Sequence, residues 1–62
     1  MTVNVGDMIR RKHTNQYSVI IDEDRYLHGV VRLKLFMLGD GSIDYWTCPF
    51  GADMPSNLFE VV

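Results

Sequence analysis

The side chains able to do chemistry in this sequence fall into three groups. The first is basic: Arg10-Arg11-Lys12-His13, joined further along by Arg32 and Lys34. On a common strand face these would gather phosphates, and Tyr17 or Tyr26 beside them could stack a base, as small single-strand-binding domains do. The same residues also read as solvated strand faces, or as charges that guard sheet edges. The second group is acidic: Asp22-Glu23-Asp24, with Asp40 and Asp44 downstream. Successive carboxylates on a loop do not aim at one centre, and no twelve-residue calcium loop surrounds them. A solvated loop is the expectation, with an acidic surface for a basic partner as the alternative. The third is the single thiol, Cys48. A nucleophilic cysteine needs a base, and His13 and His28 are both distant in sequence. In a strand after Trp46 and Thr47 it reads as a small buried hydrophobe. No Cys/His set has zinc-ligand spacing, so no metal, no cofactor and no catalytic residue is expected, and the chain is not read as an enzyme.

The apolar side chains raise a different question. Trp46 can pack over one end of a small core, together with some of Tyr45, Phe50 and Phe59. Phe36, Leu38, Phe50 and Met54 exceed what so small an interior holds, and an exposed apolar patch of that size marks a contact site. Core packing and a protein-binding or self-association surface therefore stand as the two readings of this set. The protein-interaction candidates are Phe36, Leu38, Trp46, Phe50 and Met54. The nucleic-acid candidates are Arg10, Arg11, Lys12, Arg32 and Lys34, with Tyr17.

Size limits every reading. Sixty-two residues, 47% of them hydrophobic, leave room for one domain, residues 1–62, near the lower limit for a chain that folds alone. One cysteine makes no internal disulfide. The net charge of −2 is unevenly spread. All six basic residues lie in the first 34 positions against four acids, whereas the last 28 carry four acids and no base. An acidic chain is a poor general phosphate binder, because that affinity comes from neutralised phosphates and released counterions. The start of the chain lacks the basic and apolar regions of a secretory signal. Its longest apolar-leaning stretch, Val30 to Leu38, holds Arg32 and Lys34 and cannot span a bilayer. A cytoplasmic protein without membrane attachment is expected.

The elements that must position these residues read as strands separated by turn signals. Met8 to His13 is the first strand, with Ile9 inward and Arg10 and Lys12 outward. After the polar turn Thr14-Asn15-Gln16, Tyr17 to Ile21 is the second, rich in residues that fit a pleated surface. Asp22 to Arg25 reads as a charged loop. Gly29 to Leu38 is the longest strand, with Val31, Leu33, Leu35 and Met37 on one face, a period of two that argues strand over helix. Its other face changes from Arg32 and Lys34 to Phe36 and Leu38. A bent strand in a closed barrel does this, and so does a strand that continues into a subunit contact. Gly39-Asp40-Gly41 is a hairpin turn, Ser42 to Cys48 the fourth strand, and Leu58 to Val62 the fifth, after a 3₁₀ turn at Pro55-Ser56-Asn57. Ile9, Val19, Ile21, Val31, Leu33, Leu35, Ile43, Tyr45 and Leu58 are the expected core. Five short strands in this length suggest a compact all-β barrel.

Four stretches carry a resemblance. They are Val5-Gly6-Asp7-Met8-Ile9-Arg10, Gly39-Asp40-Gly41-Ser42 at the end of the long strand, Trp46, and Asn57-Leu58-Phe59-Glu60-Val61-Val62. Together they resemble the SH3-like small barrels of the KOW and Tudor type, most closely the short stand-alone versions among uncharacterised bacteriophage proteins. The match spans nearly the whole chain, but its motifs mark turns and core positions and bring no catalytic residue. The resemblance implies a five-stranded SH3-like barrel and a small phage-encoded protein, acting in the host cytoplasm, that binds a host or phage macromolecule. A protein partner is the first reading and a KOW-like nucleic-acid module using the basic strand face the second. A structural virion or homo-oligomeric component is the third.

Overall fold

The computed structural model describes all residues, Met1–Val62. Five strands form one antiparallel sheet: β1 (Met8–Arg11), β2 (Gln16–Arg25), β3 (Val31–Met37), β4 (Ile43–Cys48) and β5 (Phe59–Val61). Their spatial order is β4-β3-β2-β1-β5. The turns have clear causes. Asn15, between β1 and β2, has φ +54°, a left-handed conformation that asparagine tolerates better than most residues. Between β3 and β4, Gly41 takes φ +72°, and the Asp40 carboxylate accepts both the Ser42 N–H and hydroxyl. Those bonds hold the Asp40 carboxyl below its ordinary value.

β2 is the axle of the molecule. Its first half pairs with β1, while β3 follows it along nearly its whole length. The register shifts between Ile20 and Asp22, leaving Ile21 as the extra residue of a bulge that bends the strand. The bend curls the sheet around a core of Val3, Ile9, Ile20, Val31, Leu33, Leu35, Cys48, Met54 and Phe59. No ladder joins β4 to β5, so the sheet is open and the expected barrel is not closed by hydrogen bonds.

Four local expectations are corrected. Asp22 to Arg25 is strand, because Asp22 and Asp24 stand in register with Lys34 and Arg32, and Arg32 pairs with Asp24 at 3.3 Å. Val19 is only partly buried, and Ile21, Ile43 and Tyr45 are exposed. β2 instead turns Ser18 and Ile20 inward, and β4 turns Trp46 and Cys48 inward. The 3₁₀ turn lies at Leu27–Gly29. At Pro55, where it was expected, the proline carbonyl accepts the N–H groups of Leu58 and Phe59 and closes a turn into β5. Met54 is wholly buried, so it cannot anchor a surface contact. It is fixed there by backbone pairing of the 52–54 segment with the N-terminal segment, Val3 N–H to the Ala52 carbonyl and Met54 N–H to that of Met1.

Candidate interaction surface

Residues directly opposite one another in neighbouring strands share a face, so the register shows what the sheet presents outward. Met8 is opposite Val19, Val19 opposite Phe36, and Phe36 opposite Ile43. One apolar residue from each of four strands thus forms an unbroken row across the outer face. Met8, Phe36 and Ile43 are 37%, 37% and 45% exposed. On one side of the row lies Tyr17, opposite Arg10, and beside it Leu38, whose N–H bonds the Tyr17 carbonyl. On the other side, Asp22, Lys34 and Tyr45 stand in register, followed by Asp24, Arg32 and Thr47. The exposed Ile21 sits at the bulge between them.

Of the apolar candidates, Phe36 and Leu38 belong to this surface. Trp46 faces the other way and packs against Phe59 with ring centroids 4.9 Å apart. Phe50, 87% exposed, sits on a turn away from the row. That turn is held to the one carrying the exposed Leu27 by the Gly51 N–H on the Gly29 carbonyl. The row's other members are Met8, Val19 and Ile43, of which Val19 and Ile43 were expected in the core rather than on a contact surface. Each is an ordinary strand hydrophobe, and only cross-strand register brings them together.

The basic residues do not form one patch. Arg10, Arg32 and Lys34 share the outer face, but each is opposite an acid: Glu60, Asp24 and Asp22. Arg10 donates from Nε to Glu60 and from a terminal nitrogen to Asn15. Arg32 leans over the Tyr45 ring at 4.6 Å. Arg11 points to the opposite side, where its guanidinium covers Trp46 and Phe59 at 5.7 and 5.2 Å. It also borders a cleft of about 490 Å³ that includes Asp40 and Asp44, so no single-sign field develops there. Lys12 lies exposed just beyond β1.

No three His, Cys, Asp or Glu side chains converge in a way that would hold a metal. Burial pushes the Cys48 thiol above its ordinary value, and the other influences on it come from Asp53 rather than a histidine. No helix is long and apolar enough to cross a membrane. Compared with protein-family models, with curated proteins and with solved structures, the chain finds no significant match in any of the three.

Proposed function

We propose that this chain is a small non-enzymatic interaction module that receives a protein partner on the outer face of its sheet. The observation that carries the reading is the row Met8–Val19–Phe36–Ile43, with Tyr17 and Leu38 beside it. A 62-residue domain short of core nevertheless holds large apolar side chains outside, and contiguous patches of this kind rimmed by charge mark contact sites. Phe36 is the central anchor and Leu38 its neighbour, while the charged rows set orientation. Within this reading the fold is an SH3-like barrel left open along one seam, supported by the bent β2 and by Trp46 meeting Phe59 across that seam. The setting we propose is that of a phage-encoded protein in its host's cytoplasm.

A photo-crosslinking residue at position 36 should capture a protein in vivo, and Leu38→Asp should abolish that capture while leaving the thermal transition in place. Labelling at position 36 no greater than at Thr14, on the β1–β2 turn, would overturn the reading.

A second reading keeps Arg10, Arg32 and Lys34 as phosphate contacts, favoured by Tyr17 and Tyr45 standing on the same face for stacking. The acid opposite each base weakens the net field on which such binding depends. Retardation of single-stranded nucleic acid at low salt, lost steeply as salt rises, would favour it over a protein partner.

A further inference from the structure

We propose that the outer face is a homodimer interface, on which a second copy of this chain docks about a two-fold axis running along the strands between β2 and β3. The inference deepens the preceding one, resting on the same face being an interaction surface, and it names the occupant.

The charges on that face choose the partner. Sheets packed face to face keep their strands within about 30° of one another, and closed dimers are built on a two-fold with one self-complementary patch. An axis along the strands preserves position along the strand and exchanges left for right. β2 then lies over the partner's β3, and β1 over the partner's β4. Val19 meets the partner's Phe36, Met8 meets the partner's Ile43, and Tyr17 meets the partner's Leu38, so apolar groups cover apolar groups. In the charged half, the acids Asp22 and Asp24 are both on β2 and the bases Lys34 and Arg32 both on β3, at matching heights. The same rotation sets Asp22 on the partner's Lys34 and Asp24 on the partner's Arg32. Each pair is made twice. A two-fold laid along the apolar row instead places Leu38 on the partner's Lys34 and Tyr17 on the partner's Asp22, so that charge meets hydrophobe. Of these two axes, the strand-parallel one satisfies both halves.

The area is of the right size. Apart from the more buried Val19, the large apolar side chains of the row and its flanks, Ile21 and Tyr45 included, are 37–47% exposed, which at about 200 Å² for a whole large side chain amounts to about 600 Å². That is the upper end of what a monomer leaves bare. With the Asp22, Asp24, Arg32 and Lys34 rim it approaches the roughly 800 Å² per partner of a standard interface.

Sedimentation velocity of the whole chain, from low micromolar to near-millimolar concentration, tests the proposal. The unaltered chain should pass from monomer to dimer. Phe36→Asp should remain monomeric with its thermal transition intact. Lys34→Glu and Asp22→Lys should each dimerise at least about tenfold more weakly, because like charges then face each other twice. Their equimolar mixture should recover near-original affinity, since both contacts become opposite-charge pairs. A monomer at every concentration would overturn the dimer. So would a mixture no tighter than its two components, or a dimer indifferent to Phe36→Asp. A monomer that still crosslinks through position 36 to a different protein removes the second copy as occupant and leaves the interaction module standing. A monomer that crosslinks to nothing removes both.

Discussion

Trp46 and Phe59 meet edge to face, with centroids 4.9 Å apart and planes at 76°, although they come from the two strands at opposite ends of the sheet. Three strands lie between them in the hydrogen-bonded order, so the contact exists only because the sheet curls. The bulge at Ile21 supplies the bend, and the Arg11 guanidinium lies over both rings. The seam that backbone ladders leave open is thus covered by two aromatic rings and a cation.

Aromatic pairs of this geometry add about 0.5–1.5 kcal/mol beyond area burial. Trp46→Leu and Phe59→Leu, made singly and together, should therefore show a coupling of about 1 kcal/mol in a denaturant double-mutant cycle. Phe59→Ala goes further, costing about 3–5 kcal/mol, comparable with the whole stability of a domain this small, so it should be largely unfolded by circular dichroism at room temperature. A coupling near zero would mean that the rings are neighbours without holding the seam.

Met54 and Phe50 are four residues apart and should respond oppositely to substitution. Met54 is wholly buried and Phe50 is 87% exposed. Met54→Ala should cost about 2–5 kcal/mol through lost contacts and a residual cavity, whereas Phe50→Ser should stay within about 0.5 kcal/mol. Urea midpoints measure both. Equal losses would contradict the placement of the 49–54 segment.

How far the sequence reveals this arrangement depends on which contacts are local. β3 is legible because its alternation is clean, and the β3–β4 hairpin because Gly41 needs a positive φ. The second strand is not: Tyr17-Ser18-Val19-Ile20-Ile21 offers hydrophobes to both faces, so alternation cannot say which face is buried. The bulge then shifts the parity again. Asp22 to Arg25 looks like loop from composition alone, and becomes strand because Lys34 and Arg32 stand opposite its acids. Met54 is buried by pairing with a segment some fifty residues earlier, as in the bridge between Thr2 and Asp53, which leaves no local trace. The surface fares likewise. Phe36 and Leu38 stand out because β3 changes character there, but Met8, Val19 and Ile43 join them only through register.

Glu60 makes β5 sensitive to acid. The hydrogen bond from Arg10, reinforced by its charge, holds the Glu60 carboxyl below its ordinary 4.5. A carboxyl depressed on folding stabilises the native state in full above its unfolded value, and that contribution is lost as pH falls through the depressed one. Glu60→Gln should therefore be slightly less stable at neutral pH and should lose less stability between about pH 5 and 3. The effect is small because the pair is exposed. Urea midpoints across that range, falling in parallel for the two proteins, would show that the pair contributes nothing.

Cys48 reports whether the core opens. Its side chain is wholly buried on β4, opposite Val31, and burial raises the pKa of its thiol. Thiolate is the reactive form, so the native protein should react with a thiol-specific reagent far more slowly than the unfolded chain. Reaction then requires an opening that frees β4, and its rate should follow global unfolding as denaturant is added. Leu33→Ala, in the same buried core cluster as Cys48, should speed labelling in proportion to its cost, at about tenfold per 1.4 kcal/mol. Phe50→Ser should leave the rate unchanged. Fast labelling of the native chain, independent of denaturant, would place Cys48 at an accessible edge and remove it from the core.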